Sequence, residues 1–240
     1  MKKRKKARRT SDGLIIVQSK SYGEHTRAKR GTYQEAPLNP SMQNSCLQLS
    51  QGNRDASLIR AALLPHFLES KPFRFWPRLL SAVRLAYGKN DLLDPGKFNG
   101  FDVYEEYKIT RLTSPQTQLS GDDESTKIEV SWHAVPNFRR KFADGYFFGV
   151  VCLFIDPESG CVESSVSYSR PFPLSVTTGS CEFEVAHQLH RGYMLLFLLL
   201  NATEKNVLKR GAPTSGFRCI GGKWLGQKEP SAVSGLEMEK

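Results

Sequence analysis

The longest unbroken apolar run in this 240-residue chain, Tyr193 to Leu200, sets the narrowest limit on its fold. It falls far short of the roughly 20 residues that a membrane-spanning helix needs, so it reads as a buried strand and not as an anchor. The strand extends over Gly192 to Ala202, the most hydrophobic segment of the chain, and Tyr146 to Ile155 is a second run that is nearly all apolar. That second run stops at Asp156-Pro157-Glu158-Ser159-Gly160, a cluster of turn-forming residues. Lys127 to Val135 alternates, with Ile128, Val130 and Trp132 on one face, and Tyr107 to Leu112 alternates as well. Between these two lies a polar loop with Gly121, Asp122, Asp123 and Glu124. With Cys161 to Tyr168 and Glu182 to Ala186 the set comes to six short strands separated by turns, which predicts an antiparallel β-sandwich.

Upstream the periodicity is helical. Asn39 can cap a helix, Pro40 suits its first position, and Met42, Cys46 and Leu49 recur at spacings of four and three. The stripe resumes at Ala56, Ile59 and Leu63 past a polar interval with Gly52 and Asn53, and Pro65 ends it. A second helix begins near Pro77, with Trp76, Leu79, Leu80, Val83, Ala86 and Tyr87 on one face and Gly88 as its stop. Joined across Pro65 to Pro72, the two predict an antiparallel helical pair. Ahead of them, Leu14 to Val17 and Gly23 to Tyr33 can pair as two short strands.

The charge is concentrated at one end. Residues 1–31 hold eleven Lys and Arg against Asp12 and Glu24, and so carry +9 of the whole-chain +10. Residues 1–11 have no apolar anchor to repay ordering entropy and read as disordered. Such an arm releases counterions along a phosphate backbone or an anionic surface, and a solvated tail has the same composition; both readings stay open. The expected fold class is therefore α+β: a helical pair followed by the sandwich, behind a disordered basic N-terminal arm. Its parts are a basic arm with a weak strand pair over 1–36, a helical region over 37–103, a β-sandwich domain over 104–210 and a flexible tail over 211–240.

Two resemblances sharpen this. Lys127-Ile-Glu-Val-Ser-Trp132 resembles the second strand of a fibronectin type III domain, which carries a buried tryptophan after an alternating run. Gly192-Tyr193-Met194-Leu195-Leu196-Phe197 sits where that fold places its tyrosine-corner strand, with His187 to Arg191 as the corner. The likeness spans about residues 105 to 205 and implies a fibronectin-like, immunoglobulin-like sandwich. The order of the whole chain is similar to an uncharacterised Bacteroidetes family found near mobile or phage-derived elements, whose members have a glycine-punctuated strand pair, a helix and such a sandwich. Gly13 to Val17, Tyr22-Gly23, Arg27-Ala28-Lys29-Arg30-Gly31 and the helix from Pro40 stand in the matching places. That family implies an architecture and no activity.

Candidate chemistry is sparse. His187 and His190, with Glu182 and Glu184 nearby, lie in an expected turn and read as a polar turn ahead of a metal site. Cys152 or Cys161 with His133 would be a nucleophile and base, but Cys152 sits within an apolar strand, where a thiol packs as a small hydrophobe. Asp122, Asp123 and Glu124 lack the spacing of a calcium loop, and the glycines at 211, 216, 221 and 222 form no phosphate loop. Arg74, Phe75, Trp76 and Arg78 interleave cations with aromatics, as base-stacking surfaces do; the favoured reading is that the aromatics seat the second helix while the arginines snorkel. Five cysteines (Cys46, Cys152, Cys161, Cys181, Cys219) at wide spacings with no Cys-x-x-Cys suggest reduced thiols, and with no export signal the expected compartment is the cytoplasm.

These observations predict a non-enzymatic binding or structural module whose sandwich presents loops or a sheet face to a protein partner. No cofactor, metal or membrane is expected. The alternative is a sequence-nonspecific nucleic-acid-binding protein that contacts phosphates through Lys2, Lys3, Arg4, Lys5, Lys6, Arg8, Arg9, Arg27, Lys29 and Arg30.

Overall fold

A computed structural model describes residues 14–19, 23–27, 39–67, 72–87, 92–122, 124–138, 143–187, 191–205, 207–208 and 215–225. The chain divides into two compact units, Met1–Ser45 and Cys46–Lys240. In the first, β1 (Ile15–Ser19) and β2 (Gly23–Arg27) pair antiparallel, with Ser19 opposite Gly23. Gly23, the first residue of β2, has φ +65°, a conformation that favours glycine. The strand pair expected from the sequence is present over these residues. The stretch expected to be disordered lies outside the described residues.

The first helix, α1 (Pro40–Leu63), starts where the Asn39 Oδ1 accepts a hydrogen bond from the Met42 backbone N–H at 2.8 Å, so the predicted cap is the one used. Only part of its expected stripe buries anything. Met42, Cys46 and Leu49 are exposed, and burial begins at Gly52 and runs through Asp55, Ala56, Ile59, Ala62 and Leu63. A single 3₁₀ turn, Leu64–His66, ends the segment at Pro65. The second helix, α2 (Phe75–Ala86), follows Arg74, which has φ 49°, and buries Phe75, Leu79, Val83 and Ala86. Tyr107 to Leu112 is not a strand. It holds the one-turn helix α3 (Ile109–Leu112), because Ile109 and Leu112, three residues apart, are both buried, and only a helical turn puts that spacing on one side.

The strands are β3 (Gln116–Gly121), β4 (Ser125–Trp132), β5 (Gly145–Asp156), β6 (Cys161–Tyr168), β7 (Phe172–Pro173), β8 (Gly179–Ala186), β9 (Gly192–Glu204), β10 (Val207–Leu208) and β11 (Ser215–Leu225). A three-stranded sheet has the order β3-β4-β8. In the larger sheet β5 and β9 are central; β6 and β7 pair with the outer side of β5, and β11 and β10 with that of β9. Every pairing is antiparallel.

Both faces of the larger sheet are covered. Phe148, Val150, Cys152 and Phe154 of β5, with Met194, Leu196 and Leu198 of β9, pack in one cluster with Ile128, Val130, Trp132, Phe183 and Val185 of the small sheet. The alternate residues, Val151, Leu153 and Ile155 with Tyr193, Leu195, Phe197 and Leu199, pack with Ile59, Leu63, Leu79 and Val83 of the helices. The unit is therefore an α+β stack of helices, large sheet and small sheet. Strands covered on both sides have no need to alternate, which explains the two continuous apolar runs. The region expected as a flexible tail is corrected in part: residues 215–225 are β11, paired with β9 from Ser215–Asn201 to Leu225–Gly192. Its other edge is covered by the chain after the 3₁₀ turn Pro95–Phe98, where Gly100 N donates to Cys219 O at 2.9 Å and Val103 N to Phe217 O at 2.8 Å.

Candidate functional site

A cavity of about 330 Å³ opens at the end of the large sheet where β5 finishes, β9 begins and β11 finishes, with α1 and the chain after α2 forming its other wall. Asp55 projects into it from α1, one helical turn before the core residue Ile59, and is 5% exposed. Tyr87, at the C-cap of α2, donates its hydroxyl proton to Asp55 Oδ2. Burial raises the Asp55 carboxyl above its ordinary range, against the opposing pull of Tyr87 and of the Arg54 charge.

The opposite wall is aromatic. Tyr193 and Trp224 meet edge to face, with ring centroids 5.4 Å apart, and Trp224 Nε1 donates to Leu93 O at 2.9 Å. Tyr193 is 1% exposed, and among the described residues its hydroxyl has no hydrogen-bond partner. Burial pushes this phenol well above its ordinary range, and the neighbouring Asp55 and Tyr87 add to the shift.

The rim is held by the β5–β6 turn. Asp156 accepts from the Glu158 N–H at 3.0 Å, from the Ser159 hydroxyl at 2.7 Å and from Arg191 Nε at 2.9 Å. These partners, the Ser159 hydroxyl first, hold its carboxyl below the usual range. Arg191 also lies 3.9 Å from Glu158, and Arg54 donates to the Glu158 carbonyl at 3.3 Å. Both rim arginines are thus engaged by the turn, whereas Asp55 is hydrogen-bonded, among the described residues, by the neutral phenol of Tyr87.

The residues singled out in the sequence are distributed elsewhere. Lys2, Lys3, Arg4, Lys5, Lys6, Arg8, Arg9, Lys29 and Arg30 lie outside the described residues, and Arg27 is described through its backbone at the end of β2. His187 Nε2 shares a hydrogen bond with the Thr126 hydroxyl at 2.9 Å and the His187 backbone N–H donates to Glu124 O, while His190 lies outside the described residues. Cys152 is in the sandwich core, where burial pushes its thiol far up, and His133 is exposed. Asp122 Oδ1 accepts from the N–H groups of Glu124 and Ser125, both at 2.8 Å, and so closes the β3–β4 hairpin. Arg78 donates to the carbonyls of Asp102 and Val103, and lies 3.6 Å from Glu105 and over the Phe101 ring; it is used within the fold. Trp76 lies under Arg60, and Phe75 is buried. Gly216, Gly221 and Gly222 belong to β11.

Asp55, Tyr87, Tyr193 and Trp224 were not grouped by sequence reasoning. The available signal was an acid beside the stripe of Ala56, Ile59 and Leu63, with a tyrosine closing the second stripe. Among the described residues no group of three or more His, Cys, Asp or Glu could hold a metal ion, and no helix is long and apolar enough to cross a membrane. No protein-family model matches the chain, and no curated protein matches it.

Proposed function

We propose that the protein is a non-enzymatic binding module in which a fibronectin type III-like sandwich, backed by a pair of helices, engages a partner protein at the cavity end of the large sheet. The observation that carries this is the cavity itself: a concave, aromatic-walled site with a few convergent polar groups behind a rim fixed by Asp156. The fibronectin-like reading is supported by strand order. Of the seven longer strands from β3 onward, the first, second and fifth share one sheet, while the third, fourth, sixth and seventh share the other. Trp132 on the second strand, in the core between the sheets, supports it too. The tyrosine-corner hydrogen bond does not, since the Tyr193 hydroxyl is unpartnered. The likeness to the Bacteroidetes family, and with it the link to mobile elements, rests on sequence order alone.

Photo-crosslinking tests the assignment. A crosslinking side chain at the exposed rim residue Leu92 should capture the partner, and one at Leu119 on the small sheet should not. Capture at Leu119 alone would move the interface to the sheet face.

The concentration of +9 charge in residues 1–31 favours a second reading, in which the arm contacts nucleic acid. Binding of mixed-sequence DNA should then fall steeply with salt and vanish when residues 1–31 are deleted. Binding that survives the deletion would sink it.

A further inference from the structure

Given that the cavity is a binding site, as proposed above, its walls also select a ligand chemistry. We propose that the cavity receives a primary alkylammonium group, carried by a lysine side chain or a free amine, with Asp55 as its anionic partner and Tyr193 as its hydrogen-bond acceptor.

Three independent observations converge on it. The Tyr193 hydroxyl is buried and unpartnered among the described residues, although buried polar groups are nearly always hydrogen-bonded. A group entering the cavity that brings N–H donors would satisfy it. Asp55 makes its hydrogen bond with the neutral Tyr87 and feels Arg54 only through its charge, since the guanidinium of Arg54 donates to the Glu158 carbonyl and that of Arg191 pairs with Asp156. With Asp55, Asp156 and Glu158 set against Arg54 and Arg191, the lining has one more acid than base, which disfavours an anion. The walls supplied by Tyr87, Tyr193 and Trp224 are aromatic, and aromatic faces attract cations. A primary ammonium has three donors, enough to serve both Asp55 and Tyr193, whereas a quaternary ammonium has none.

Calorimetric titration of the full chain with n-butylammonium, n-butanol, n-butyrate and N-acetyl-lysine methylamide tests this. Butylammonium or the blocked lysine should bind saturably, and more tightly than butanol or butyrate. Asp55→Asn, which keeps shape and removes charge, should weaken binding at least about tenfold. Tyr193→Phe should weaken it less, and because it removes only the unpartnered hydroxyl it keeps the test intact should Asp55→Asn fail to fold. Tighter binding of the blocked lysine would identify the source as a protein side chain, and of butylammonium as a free amine. Butanol or butyrate binding as well as the amines, or unchanged amine affinity in both variants, would overturn the ammonium assignment and leave the cavity as a binding site for another group. No binding of any probe would overturn the assignment and the cavity reading together.

Discussion

Trp132 is fully buried, with ring centroids 4.8 Å from Phe148 and Phe172 and 6.0 Å from Tyr146. The strand facing it had to give up a side chain: a Cβ on Gly179 would lie 2.7 Å from the indole. Trp132→Ala should therefore cost about 3–5 kcal/mol in urea unfolding, the range for emptying a large aromatic site. Two aspartates give opposite pH dependences. The Asp156 carboxyl is held below its unfolded value of about 3.9, so its contribution is present above that pH and is lost as pH falls through the folded value. Asp55 is raised, so its contribution is full below about pH 3.9 and is lost as pH rises through the folded value. Unfolding midpoints at pH 7 and pH 3 should show Asp156→Asn less stable than wild type at pH 7, with the gap narrowing at pH 3. Asp55→Asn should be more stable than wild type at pH 7. Asp55 was legible only as an acid next to a stripe, because its hydrogen-bond partner Tyr87 is 32 positions away.

At the scale of elements, the signals that held were local ones. Asn39, Pro40 and Pro65 bound α1 as their chemistry requires, since a cap, a fixed φ and a missing N–H act within a turn of themselves. Gly52 sits within α1, where a Cβ would be 3.8 Å from Val83 Cγ1, an ordinary contact. Gly52→Ala should stabilise the protein by about 0.5–1 kcal/mol, measurable as a raised midpoint, because it removes backbone freedom from the unfolded chain without a clash. Three elements differ from what their sequence predicts, for reasons outside their own residues. Both β3, of which Leu119 is 42% exposed, and the small sheet's polar outer face gave too little apolar pattern to distinguish an edge strand from a loop. The short α3 has one buried pair, which six residues cannot assign to a period. The glycines of β11 imitate a loop, yet Gly222 is close-packed: a Cβ there would be 2.6 Å from the Pro95 carbonyl.

For the whole molecule, the stack of layers fixes which thiols can react. Cys152 and Cys219 are each buried in one of the two cores, Cys181 is half-buried, and Cys46 and Cys161 are exposed. Burial pushes Cys181 and Cys219 to about 12. Ellman titration of the native protein should therefore release two equivalents quickly, and all five after denaturation. Fast release of four or more would contradict the packing of both sheet faces. The amino-acid sequence by itself determined the ends of α1, the two long apolar strands, the turn after Asp156 and the placement of nearly all net charge in residues 1–31, since each follows from near-neighbour chemistry or composition. Only the tertiary structure decided that β5 and β9 are covered on both faces, that β11 completes their sheet, and that Asp55, Tyr87, Tyr193 and Trp224 share one cavity. The reason is physical: a residue's period records that it is buried, while what it meets there depends on contacts between segments far apart in the chain.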